Sequence, residues 1–177
     1  MALSSRREYG GLILFFMMFL AFIMIITSSP AFCSQGQNAW GPRIRELAPD
    51  FVLKDLDGEK VRLADYREKV VLLVFSTTWC THCRKMPPYL NELRREYSDR
   101  GFVIFNIDIQ EPVKKVSSYA SRYGIDYKVL LDEKAETAKA YEVQGVPSLI
   151  LVDRDGTIVC RQCRLLDKLL ENLLPAS

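Results

Sequence analysis

Hydrophobic positions change their period several times along the chain. Leu12 to Ile26 is an apolar run without charge, preceded by Arg6 and Arg7, and Ser34 to Glu46 is polar with no apolar period. From Leu47 onward the pattern is that of folded elements. Asp50-Phe51-Val52-Leu53 and Lys60-Val61-Arg62 flank Asp57-Gly58, which predicts a hairpin. Val70 to Ser76 shows no alternation, as expected of a central strand covered on both faces. Pro88 to Tyr97 places Leu90 and Leu93 on one side and Glu92, Arg94, Arg95 and Glu96 on the other, predicting a helix. Phe102 to Ile107 reads as a second buried strand. Pro112 suits the first turn of a helix through Tyr123, closed by Gly124. A strand over Tyr127 to Leu131 and a helix over Glu133 to Tyr141 follow. Strands Ser148 to Val152 and Thr157 to Cys160 are joined by Asp153-Arg154-Asp155-Gly156, and Leu165 to Leu174 is a closing helix with six leucines on one broad face. Strands alternating with helices before a terminal hairpin predict an α/β sandwich whose central mixed sheet is flanked by helices.

The apolar run near the N-terminus does not belong to that core. Residues 1–33 read as an export signal or membrane anchor, 34–46 as a linker and 47–177 as the folded domain. Fifteen helical residues span about 22 Å, short of the roughly 30 Å hydrocarbon core, so a spanning segment would also need Gly10, Gly11 and Thr27 to Ser29. Cleavage is favoured, with small residues placed for a cut after Ala31 or Cys33. A buried core helix is the bland alternative. The segment predicts an extracytoplasmic location, in the periplasm or on the outer face of the cytoplasmic membrane, with or without a tether.

Length bounds the rest. The chain has 177 residues, 49% of them hydrophobic, enough for one good core. Lys and Arg total 24 against 22 Asp and Glu, a balance without pull toward nucleic acid or anionic lipid.

The densest chemistry is Trp79-Cys80-Thr81-His82-Cys83, between the apolar run at Val70 and a helical pattern. If the turn opens a helix, cysteines three apart share a face with Cβ atoms roughly 5–6 Å apart, close enough for a reversible disulfide. Cys80 at the helix start would ionise readily, and a thiolate is the species that attacks disulfides. Buried small hydrophobes, a structural disulfide and half of a zinc site are the competing readings. Zinc needs two further ligands, and Cys160 and Cys163 lie beyond the usual ribbon spacing, so no metal is expected. Outside the cytoplasm such a dithiol needs a dedicated redox partner.

The chain from about Leu47 to Leu174 resembles the thioredoxin superfamily, in its exported TlpA/ResA-like branch. The resemblance rests on Ala48-Pro49-Asp50-Phe51, the Asp57-Gly58 hairpin, Val70 to Phe75 leading into Trp79-Cys80-Thr81-His82-Cys83-Arg84, Pro88, Gly145-Val146-Pro147 and Asp153-Arg154-Asp155-Gly156. It implies a thioredoxin-like fold and a thiol-disulfide oxidoreductase with Cys80 and Cys83 catalytic and no cofactor. Disulfide-bearing protein substrates such as apocytochrome c and a membrane electron donor are the implied partners. It further implies a cis Pro147 facing the dithiol, with the Val146 backbone pairing substrate, a kink at Pro88, and Trp79 shielding the disulfide from water. Thr81 and His82 would tune the pair.

Departures from the pattern bear on mechanism. Met86 stands where many relatives carry a glutamate, and Val74 where thioredoxin has a buried aspartate, so neither usual proton acceptor is present. His82, the single histidine, occupies the position it holds in DsbA-type oxidants, where an imidazolium stabilises the thiolate and raises the potential. Direction of electron flow is thus open. Cys160-Arg161-Gln162-Cys163 is a second pair outside the family pattern, and a structural disulfide, free thiols and a second redox relay all fit it. Two rival functions are a peroxiredoxin-type thiol peroxidase, suggested by Thr77 three residues before Cys80, and a Sco-type copper carrier. The latter needs a wider cysteine spacing and a distant histidine.

Overall fold

A computed structural model describes residues 46–174. The expected export segment and nearly all of the linker lie outside the described residues. Eight strands form one mixed sheet: β1 (Glu46–Leu47), β2 (Val52–Asp55), β3 (Lys60–Arg62), β4 (Val70–Ser76), β5 (Phe102–Ile109), β6 (Lys128–Asp132), β7 (Ser148–Val152) and β8 (Thr157–Arg161). Their order is β1-β8-β7-β4-β5-β6-β2-β3. β4, β5 and β6 run parallel, and the remaining neighbours are antiparallel. Helices α1 (Pro87–Tyr97), α2 (Val113–Arg122), α3 (Glu136–Ala140) and α4 (Leu166–Leu173) cover the faces. This is the thioredoxin-like sandwich the sequence predicts.

All seven residues of β4 are buried, which explains its missing alternation: both faces are covered. Val70, Leu72 and Val74 meet Leu90, Leu93 and Tyr97 of α1 and Leu166, Leu170 and Leu174 at the closing helix. On the opposite face Val71, Leu73 and Phe75 pack with Phe51, Leu63, Ala138 and Tyr141. α2 joins the α1 side, setting Val116 and Ala120 on Val129 and Leu131.

Two helix expectations are corrected. The helix predicted over Glu133 to Tyr141 is only Glu136–Ala140, because Ala135 turns left-handed (φ 56°) and the Asp132 carboxylate accepts the Thr137 and Ala138 N–H groups, fixing the start there. The dithiol segment does not run as one α-helix kinked at Pro88. A turn at Thr81-His82 leads into a 3₁₀ turn at Cys83–Lys85, and α1 begins at Pro87. Prolines at 87 and 88 have no N–H to return to the carbonyls of Cys83 and Arg84, so that turn closes with shorter bonds such as Met86 N–H to Cys83 O. Pro88 is thus a second-position residue of α1, and Pro87 acquires a role that the sequence pattern did not assign.

Candidate redox site

The carboxyl end of β4 delivers the chain to the dithiol. Cys80 and Cys83 are bridged with Cα atoms 5.2 Å apart, and both are almost fully buried, at 5% and 4% exposure. The Cys83 N–H points at Cys80 Sγ, 3.1 Å away. In a reduced pair such a donor would favour a thiolate at Cys80 over one at Cys83. Thr81 and His82 are exposed on the turn between them.

Trp79 is 64% exposed and so is not a buried core aromatic. It lines an open groove of about 550 Å³ together with Thr77, Gln110, Pro112, Gly145 and Val146. The Val146–Pro147 peptide is cis and both residues are half-buried, at the mouth of β7 beside the groove. Phe75, at the end of β4, pairs with Ser148, so the register holds Pro147 next to the strand that carries the dithiol. Another depression of about 530 Å³, bordered by Asp55, Arg94, Tyr127 and Lys128, contains neither cysteine pair.

Two acids absent from the sequence reading complete the site. Glu111 is buried, accepts hydrogen bonds from the Thr78 N–H and, at 2.7 Å, from the Thr78 hydroxyl, and pairs with Lys115. Arg84 binds the Thr78 carbonyl through Nε at 3.1 Å and Nη2 at 3.0 Å. The turn entering Cys80 is therefore clamped from both ends of one residue. Asp108, 1% exposed, lies opposite Ser76 in the sheet register. Burial pushes its carboxyl up to about 8, and the adjacent Glu111 carboxylate pushes it the same way against the pull of Lys115. Glu111 moves oppositely: burial would raise it, but Lys115, the Thr78 donors and Asp108 outweigh that and hold it below its usual range. Such a divergent pair holds one proton at neutral pH. The signal in the sequence was an acid on the face shared by Phe102 and Ile104, at the carboxyl end of a parallel strand, where α/β sheets place ligands.

Cys160 and Cys163 are also bridged, with Cα atoms 5.7 Å apart, across the exit of β8. The turn that a bridge requires is made by Gln162 in a left-handed conformation (φ 54°). Both cysteines are half-buried, and their bridged sulfurs replace the free-thiol alternative with a second disulfide. Closing so short a loop removes roughly 2 kcal/mol of unfolded-chain entropy, against about 3 kcal/mol for a fifteen-residue loop. Among the described residues no group of three or more His, Cys, Asp and Glu is placed to hold a metal ion.

Comparison with known proteins agrees with this geometry. A family model described as AhpC/TSA family matches residues 44–161. Thiol-disulfide oxidoreductase ResA of Geobacillus thermodenitrificans is 40% identical over 115 residues, covering 65% of this chain and 66% of the relative. ResA of Bacillus thuringiensis subsp. konkukian is 38% identical over 116 residues, covering 66% and 67%. The chain thus spans about two thirds of the length of the curated relatives it matches. The crystal structure of the thioredoxin domain of a thiol-disulfide oxidoreductase from Bacteroides vulgatus superposes with a TM-score of 0.69 at 28% identity, covering 75% of this chain and 99% of that one.

Proposed function

Because the chain belongs to the AhpC/TSA family, we propose that it is a thiol-disulfide oxidoreductase acting outside the cytoplasm, where it reduces disulfides of proteins such as apocytochrome c. The observation that carries this reading is the buried Cys80–Cys83 bridge with the Cys83 N–H on Cys80 Sγ, next in the chain to Trp79, which lines a groove ending at Gly145 and Val146. Relatives named thiol-disulfide oxidoreductase support the chemistry. Arg6 and Arg7 ahead of Leu12 to Ile26 support the location.

In the reduced protein the Cys80 thiolate attacks one sulfur of the substrate disulfide, and the other sulfur leaves as a thiolate. Substrate backbone lies in the groove against Val146, and the Trp79 ring offers it an apolar wall. Cys83 then gives up its proton and attacks Cys80 Sγ, breaking the mixed disulfide. Two electrons and two protons have passed to the substrate, and the bridge seen here is restored. A membrane-bound dithiol donor reverses the change for the next cycle. Glu111 is a positioning residue in this scheme, holding Thr78 so that the turn presents Cys80 in one geometry.

The Cys83→Ser variant tests the reading. It should accumulate a mixed disulfide between Cys80 and exported substrates, while Cys80→Ser traps nothing. Equal labelling of both variants would sink the assignment. A potential near the roughly −120 mV of DsbA, rather than toward the −270 mV of thioredoxin, would reverse the direction of flow. Hydrogen peroxide consumption by the purified protein would favour the peroxidase reading instead.

A further inference from the structure

We propose that Cys160–Cys163 is a second redox-active disulfide, and that its state is transmitted to the substrate-facing strand through Gln162. The inference rests on the proposed oxidoreductase activity only for its consequence, since the state of this pair is read on its own peptides.

Three observations carry it. The bridge is a weak staple. It closes a loop of two intervening residues, the case in which loop closure contributes least, and its flanks are anchored without it, Cys160 by pairing with Leu151 and the following helix by buried Leu166 and Leu170. The bridge is reachable, because both its cysteines are only half-buried, more open than Cys80 and Cys83 at 5% and 4% exposure.

The third observation is connectivity. Gln162, held left-handed between the two cysteines, donates its N–H to Leu149 O at 2.8 Å and its side-chain amide to Ser148 Oγ at 3.2 Å. Ser148 directly follows cis Pro147 and pairs with Phe75 on the strand leading to Cys80. Leu149, Cys160 and Cys163 pack on the same core cluster as Met86, three residues beyond Cys83. A change in the loop therefore meets both the strand that receives substrate and the core cluster beneath the 3₁₀ turn that carries the resolving cysteine.

The exchange balances with a dithiol reductant as the second reactant. Cys163 Sγ lies 3.5 Å from Cys160 O and 3.7 Å from Leu149 O. Carbonyl oxygens disfavour a thiolate there, so the donor thiolate attacks Cys163 and Cys160 leaves. The second donor thiol closes on the first and expels Cys163. Donor dithiol has become disulfide, and two electrons and two protons rest on Cys160 and Cys163. The new Cys163 thiol can then donate to Leu149 O, the acceptor Gln162 already uses, and the turn is freed from the geometry the bridge imposed.

The test equilibrates the full chain in glutathione buffers of graded ratio, quenches with acid, alkylates the free thiols and counts both pairs by mass spectrometry. Cys160–Cys163 should open within the range that opens Cys80–Cys83. In Cys160→Ser/Cys163→Ser, and more mildly in Gln162→Ala, the equilibrium constant of Cys80–Cys83 with glutathione should shift at least threefold. A Cys160–Cys163 bridge that stays closed at ratios where Cys80–Cys83 is fully reduced overturns the proposal. So does an unchanged Cys80–Cys83 constant in the variants. Should the double variant not fold, the titration of the natural chain and of Gln162→Ala still decides. An inert Cys80–Cys83 pair beside a titrating second pair would instead count against the activity proposed above.

Discussion

Both oxygens of Glu111 are engaged by Thr78, and the Lys115 ammonium sits on one of them. Truncation to alanine leaves the Thr78 donors buried without an acceptor, a loss of about 1–3 kcal/mol. Glu111→Ala should therefore lower stability by that amount in urea unfolding and slow exchange at Cys80. Glu111→Gln, which keeps an acceptor, should recover most of both. The neighbouring Asp108 acts on pH dependence. Its folded carboxyl is raised to about 8 from an ordinary value of 3.8, so between these limits the native state binds more protons than the unfolded chain. Its contribution is fully present below about 4 and is lost as pH rises through 8, at up to about 1.4 kcal/mol per pH unit. Glu111, held low, contributes in the opposite sense, with stability present above its unfolded value and lost in acid. Asp108→Asn should flatten the decline between pH 5 and 8 in denaturation curves, and an unchanged slope would place the titrating group elsewhere. Asp108 left only a faint trace in the sequence, an acid near the end of an apolar strand, and Glu111 left none. In sequence they are two charges near a strand end, and only the register opposite Ser76 and the return of the loop to Thr78 bring them to the segment that leads into the dithiol.

At the scale of the element, the closing helix shows what a hydrophobic period does and does not say. Leu165, Leu166, Leu169, Leu170, Leu173 and Leu174 look equivalent in sequence, yet Leu170 and Leu174 are at 0% exposure and Leu165 is at 44%. Leu170→Ala should cost about 2–5 kcal/mol in unfolding free energy, and Leu165→Ser should stay within about 0.5 kcal/mol. The period fixes which side faces inward, but how deep each residue sits depends on the sheet it meets. The same distinction explains the dithiol segment. Spacing identified the cysteine pair, whereas the 3₁₀ turn before α1 follows from two adjacent prolines whose joint effect a single-kink reading overlooks. Hairpins were the easiest elements to foresee, since Asp57-Gly58 and Asp155-Gly156 place left-handed glycines, φ 86° and 83°, where the turns require them.

Across the whole molecule, oxidation state and global stability are two sides of one cycle. Every 30 mV by which the folded dithiol is more reducing than the same pair in the unfolded chain makes the bridged form more stable by about 1.4 kcal/mol. A reductase should thus show the higher urea midpoint when Cys80–Cys83 is bridged, measured in Cys160→Ser/Cys163→Ser so that one bridge is counted. The reverse order would identify an oxidant. The mixed sheet and its two covered faces were legible because β4 is apolar at every position but the last, Ser76, and its neighbours are nearly so. The placement of Trp79 was not, because an indole beside a cysteine reads the same whether it faces inward or out. Its exposure gives the molecule an optical reporter. Of two tryptophans in the chain, the other being Trp40, Trp79 directly precedes Cys80 of the bridge, and disulfides quench indole emission on close approach. In Trp40→Phe, opening the bridge should brighten a red-shifted, water-facing fluorophore, so that turnover is followed as light from the protein itself.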